Sequence, residues 1–202
     1  PMQWRIALSC ASGYLLFQSL TPIVMFHHGS AAAGEIGLAI AGFNAVTSLG
    51  MSWINSKGPK IAKLISTGNL VDANNIYKKN SLFTNALVAL GSCILLLLVL
   101  LIKYDFLTIT VRVPEFLVIL ALAVNSVVNI FSAAVFMRAH KTEPMVAVSV
   151  VGGILSVILF FVTAFYNIPL AFICYTSVTT FIILPWTLQI LSKFKINRIT
   201  DE

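Results

Sequence analysis

The sequence predicts an all-α membrane protein with six transmembrane helices. Three observations carry that prediction. Of 202 residues, 58% are hydrophobic and 10% charged, against about 25% charged in a soluble domain. The mean hydropathy is +0.94. The apolar residues gather into six runs, each long enough to cross a hydrocarbon core, which takes about 20 residues of helix. A closed barrel is the other structure that can cross lipid, but no stretch alternates polar and apolar residues at period two.

The runs are 6–26, 33–56, 82–102, 116–137, 145–166 and 168–191, in a single domain over 1–202. The third is the plainest, with ILLLLVLLI over 94–102. The second is the weakest, with four glycines and several hydroxyls. The long connection 57–79 reads as one or two short amphipathic helices, with Ile61, Leu64 and Ile65 on one face and lysines on the other. Such a segment is expected to lie among lipid headgroups or to serve as a solvated connector.

Charge then orients the spans, because cytoplasmic loops carry an excess of Lys and Arg. Lys57, Lys60, Lys63, Lys78 and Lys79 share one side with Arg5, Arg138, Lys141, Lys193, Lys195 and Arg198; only Lys103 and Arg112 fall on the other. Both termini are therefore expected in the cytoplasm. The formal net charge of +6 has this topological origin, and cations so interrupted by apolar runs form no stripe for tracking phosphates of nucleic acid.

Polar residues inside the runs point to packing or to a cavity. In the first run, Arg5, Ser9, Ser12 and Gly13 lie on one side of a helix, and Tyr14, Gln18 and Thr21 on the other. Such a helix is expected to be enclosed, with one face on a neighbour and one on a cavity. Pro22 leaves the Gln18 carbonyl without its usual donor, and Pro185 does the same to Phe181, so a bend is expected at each. In the second run Gly34, Gly37, Ala41, Asn44, Ala45, Ser48 and Ser52 form one small, polar face suited to close helix packing. The fifth run repeats the device with Ser149, Gly152, Gly153 and Ser156. In the fourth, Asn125, Asn129 and Ser132 share a face, and two readings stand: interhelical hydrogen bonds or a water-filled cavity.

No catalytic set, metal-ligand spacing or cofactor motif is present, and no Asp or Glu lies deep in a run. His27 and His28 read as interfacial loop residues rather than metal ligands, and His140 as solvated. Cys10, Cys93 and Cys174 are odd in number, lie in apolar runs and imply no disulfide framework. Pro1 is not a natural initiator, so the chain is expected to begin at Met2 or to be a piece of something longer.

The run Trp4-Arg5-Ile6-Ala7-Leu8-Ser9, followed by Ser12-Gly13-Tyr14, Gln18 and Thr21-Pro22, resembles the start of the seventh span of O-antigen flippases, of the multidrug/oligosaccharidyl-lipid/polysaccharide flippase superfamily. The likeness continues through Ala33-Gly34-Glu35-Ile36-Gly37, Ser52-Trp53-Ile54 and Lys57-Gly58-Pro59-Lys60, to about Lys79. It implies one lobe of a two-lobe, twelve-helix transporter of the multidrug-and-toxin-extrusion type in the bacterial inner membrane. A second six-helix lobe, in the same longer chain or in a partner, is implied with it. The implied activity is movement of undecaprenyl-diphosphate-linked oligosaccharide from the cytoplasmic to the periplasmic leaflet, without catalysis of a reaction and without a cofactor.

On this reading Arg5 and Arg138 meet the diphosphate, and Gln18, Asn44, Asn125 and Asn129 bond sugar hydroxyls; the alternative for the two arginines is the topological signal itself. Competing functions are a cation-coupled multidrug exporter of the same superfamily, a membrane enzyme of polysaccharide assembly, and a non-transporting subunit of an assembly complex.

Overall fold

The computed structural model describes residues 2–103, 118–140 and 142–200; Arg112, Lys141 and the predicted start of the fourth span at Phe116 lie outside them. Every regular element among the described residues is helical: α1 (Met2–Gln18), α2 (Leu20–Ser66), α3 (Leu70–Lys103), α4 (Val118–Ala139), α5 (Val146–Tyr166), α6 (Ile168–Ser177), a π-helical segment (Val178–Ile183) and α7 (Leu184–Thr200). Five stretches are long and apolar enough to cross a membrane: Gln3–Ser66, Leu70–Leu101, Val118–Ala139, Val146–Tyr166 and Ile168–Lys195. The chain is a multi-pass membrane protein.

The first stretch holds both of the first two predicted spans. At 1.5 Å per residue, the 47 residues of α2 extend for about 70 Å, more than twice a hydrocarbon core. The helix is not continuous, however. Gly29 takes non-helical angles (φ 84°, ψ 177°), a left-handed conformation that side chains disfavour. Across it, a Cβ on Gly37 would stand 3.5 Å from Thr21. The chain thus doubles back at Gly29 into two limbs.

The limb before Gly29 runs alongside α5 in the same direction. Ser9 and Ser149 exchange a hydrogen bond at 2.9 Å, and further along His28 donates through Nε2 to the Ala164 carbonyl at 2.6 Å. Pro22 leaves only a slight interruption. Ser19 drops out of the helix between α1 and α2 while keeping right-handed angles (φ −78°, ψ −20°). The second predicted bend is a π-helical turn that ends just before Pro185, where Pro removes an N–H from the ladder.

The connection 57–79 differs most from expectation. Residues up to Ser66 prolong α2, and Leu70 onward begins α3, so only a turn at 67–69 separates them, with Gly68 at φ 77°. The apolar face is used against protein instead of lipid. Ile61, Ala73 and Tyr77 are buried together with Ala133, Phe136, Met137, Met145 and Leu191. A second core cluster, centred on Leu20, Ile36, Phe43, Val124, Phe160 and Phe172, holds the rest of the bundle.

Basic side chains collect at the end of the bundle where 57–79 turns. Lys195 Nζ lies 4.6 Å from the Tyr77 ring and 5.2 Å from that of Phe136, and Lys57 lies 4.7 Å from Trp53. His140 belongs to the same end. It is not simply solvated: its ring stands 4.9 Å from Phe136 and 5.1 Å from Phe194, and it bonds the Phe136 carbonyl through Nδ1. At the opposite end His27 packs on Phe161 at 4.7 Å. Neither His27 nor His28 is the free loop residue the sequence suggested, because the helix carries both past the last turns of α5.

Candidate functional site

A cavity of about 450 Å³ opens between α1, the second limb of α2, α4, α5 and the π-helical segment. Gln18 and Asn44 face it across the Gly29 hairpin, joined by Ser9 and Tyr14 of α1, Ser48 of α2 and Ser149 of α5. Apolar walls come from residues such as Phe17, Ile130 and Phe131. Among the described residues, Arg138 is the only charged one that lines it.

Of the residues singled out from sequence, the fold therefore brings Gln18, Asn44 and Arg138 to one cavity. Arg5, Asn125 and Asn129 stand elsewhere. Arg5 is exposed, its guanidinium 5.8 Å from the Trp4 ring, because it lies one turn before the point where α1 meets the cavity. Asn129 faces α3, where it and Asn85 donate to each other, both at 2.8 Å; it also donates to the Asn125 carbonyl at 2.9 Å. Between the two sequence readings for this amide, the geometry is that of an interhelical bond, in which each amide donates to and accepts from the other. Asn85, inside the plainest apolar run, was the missing partner. A lone amide in hydrocarbon is itself the signal for one.

Arg138 sits in the last turn of α4, where a cation also complements the helix dipole. Its Nε donates to Glu143 Oε2 at 2.6 Å and its Nη2 to Oε1 at 3.1 Å, a two-point fork. Nη2 also reaches Ser9 Oγ at 3.3 Å. The chain Glu143–Arg138–Ser9–Ser149 thus links the α4–α5 connection to α1 and α5. Glu143 was not singled out from sequence, although a carboxylate five residues beyond a span-end arginine is close enough to turn back on it.

The first helix is two-faced but not enclosed. Ser9 and Ser12 are buried, with Ser12 against Gly153 of α5. Tyr14, which is 65% exposed, and Gln18 stay open. The stripe on α2 is open as well: Gly34, Ala41, Ala45, Ser48 and Ser52 are exposed, and the buried side of the limb is Ile36, Ile40, Phe43, Val46 and Ile54. Apart from Gly37, which approaches Thr21, these small residues leave the packing to large apolar ones, and form an exposed strip of small residues on which Ser48 and Ser52 carry the hydroxyls.

No group of three or more His, Cys, Asp or Glu side chains able to hold a metal ion occurs among the described residues. Comparison of the chain with protein-family models, curated proteins and solved structures returned no match.

Proposed function

We propose that this chain is one six-helix lobe of a flippase that moves polyprenyl-diphosphate-linked oligosaccharide, such as an O-antigen repeat unit, across the bacterial inner membrane. Counting the two limbs about Gly29 as separate spans makes six, with both termini on the basic, cytoplasmic end. The observation that carries the reading is an open, mainly apolar cavity edged by Gln18, Asn44, Ser149 and Arg138, together with the exposed small stripe beside it. Hydrocarbon does not reward Gln18, Asn44, Ser48 and Ser52, so that side is suited to water, to a polar ligand and to a second lobe.

The chemistry fits a sugar diphosphate. The amides of Gln18 and Asn44 can each donate and accept toward sugar hydroxyls. A guanidinium recognises phosphate oxygens through paired N–H donors, and no carboxylate among the described residues lines the cavity to repel them. Rocking against a second lobe would expose the cavity to each leaflet in turn. The π-helical turn before Pro185 contributes Thr179 and Ile183 to the wall, which places a deformable turn beside the ligand.

A cation-coupled exporter of the same superfamily is the second reading, favoured by one observation: Glu143 is a buried carboxylate near the cavity. Its pairing with Arg138 offsets the charge such an exporter needs free.

Deleting the gene and assaying lipid-linked oligosaccharide on the two faces of the inner membrane tests the proposal. Completed units are expected to build up on the cytoplasmic face. The intact gene should clear them, and a Gln18→Leu/Asn44→Leu variant that folds should not. Normal export in a strain without a second flippase would sink the reading.

A further inference from the structure

Arg138, the one cation among the described residues of the cavity wall, is already engaged. Glu143 holds both ends of the Arg138 fork, and its side chain is 1% exposed where that of Arg138 is 21%. Withdrawing a carboxylate from water costs several kcal/mol unless its oxygens are satisfied, so the fork is what keeps Glu143 in place. The guanidinium retains reach toward the cavity. Ser9, which also binds Nη2, lies at the wall, and Cys10 of the same wall stands beside the guanidinium.

An anion entering the cavity therefore meets a guanidinium whose charge is offset by a buried carboxylate. A ligand with one negative charge gains little by replacing one carboxylate with itself. A diphosphate brings more charge and more acceptor oxygens, and gains more at the same fork. The open stripe leaves the cavity accessible from a bilayer whose ordinary anionic lipids carry one charge, so such competition has a use.

We propose that Glu143 sets the anion selectivity of the cavity: by competing for the Arg138 fork it rejects singly charged phospholipid headgroups and admits diphosphate-bearing lipids. The inference rests on reading the cavity as a path for a diphosphate-linked lipid.

Cys10 lines the cavity and is exposed, so it serves as a reporter once Cys93 and Cys174 are replaced by Ala. The full chain in nanodiscs of neutral lipid is treated with a maleimide in the presence of farnesyl diphosphate, short-chain phosphatidylglycerol, inorganic diphosphate or farnesol. Farnesyl diphosphate is expected to protect Cys10 at concentrations on the order of tenfold below phosphatidylglycerol. Protection by inorganic diphosphate as well assigns the effect to the phosphate group alone; protection by the farnesyl form only assigns it to a lipid diphosphate. In Glu143→Gln the discrimination should collapse because phosphatidylglycerol now binds, and in Arg138→Gln both anions should fall to the level of farnesol.

A gain of binding by the singly charged lipid is an effect that loss of packing does not produce. Glu143→Asp, which shortens the reach but keeps the charge, should narrow the discrimination without removing it, and stands in if Glu143→Gln does not fold. Discrimination that survives in folded Glu143→Gln overturns the proposal, as does equal protection by all four probes or by none in the unsubstituted chain. Unchanged discrimination in a chain that still translocates lipid-linked oligosaccharide removes only the role of Glu143. Collapsed discrimination in a chain that translocates none removes only the flippase reading.

Discussion

In α5, Gly152, Gly153 and Ser156 are buried, with Gly153 against the backbone of Ser12 and Gly152 against Ile183. In the second limb of α2, the equivalent stripe of Gly34, Ala41, Ala45, Ser48 and Ser52 is exposed. The outer faces are reversed accordingly. On α5 the exposed side chains are Val151, Ile154, Ile158, Phe161 and Val162, all suited to lipid. On α2 a third of the circumference offers lipid little to solvate; Ile36, Ile40, Phe43, Val46 and Ile54 are buried, while Leu38, Leu49 and Trp53 remain exposed beside the stripe. The same spacing of small residues has thus made a packing seam in one helix and an open strip of small residues in the other. The difference teaches that a small-residue face licenses close approach without naming what approaches.

Substituting the glycines should break the comparison most sharply. At Gly153 a Cβ would lie 3.2 Å from the Ser12 carbonyl oxygen, and backbone cannot rotate aside. Gly153→Leu is expected to destabilise the chain by about 3 kcal/mol, read as a lower thermal unfolding midpoint in detergent. At Gly34 a Cβ meets nothing within 4 Å, so Gly34→Leu should change stability by less than about 0.5 kcal/mol while impairing any assembly that uses the strip. Equal losses at the two sites would mean that the strips are not different in kind.

Cysteine scanning would sharpen the same contrast with a smaller effect. Single cysteines at Ala45 or Ser48, in a chain whose own cysteines are replaced by Ala, should react with a water-soluble maleimide roughly tenfold faster than cysteines at Ile154 or Ile158, since only a thiol reached by water ionises. Equal rates in a bilayer would place lipid against both faces.

The smallest effect concerns the polar contact that is fully paired. Asn129→Leu leaves Asn85 unsatisfied and should cost about 1–2 kcal/mol. Adding Asn85→Leu should recover part of it, with a coupling of about 0.6 kcal/mol in a denaturation cycle. Strict additivity would show that the reciprocal bond contributes nothing to α3–α4 packing.

Much of the site was legible, but not its membership. Gln18 and Asn44 could be found as amides in apolar runs, and they reach one cavity because Gly29 turns the chain between them. Asn129 has the same local signature and serves helix packing, because Asn85 happens to stand opposite. Arg138 was visible as a span-end cation. That a buried Glu143 holds it depends on how the α4–α5 connection folds back, which no spacing specifies. The stretch 57–79 carried a true amphipathic signal, but its apolar side found α4 and α7 instead of a headgroup layer.

Hydropathy and charge are properties of each segment taken alone, which is why the sequence by itself determined that the chain is helical, that it enters a membrane repeatedly, and that its basic residues belong together. Which face of a helix is covered is a property of pairs. The tertiary structure alone decided that the stripe of α5 is sealed and that of α2 open, that Asn129 is paired and Asn44 free to meet a cavity, and that Arg138 at the cavity carries its own carboxylate. In lipid no hydrophobic force drives one helix face inward, so those choices fall to shape and hydrogen-bond matching between residues far apart in the chain.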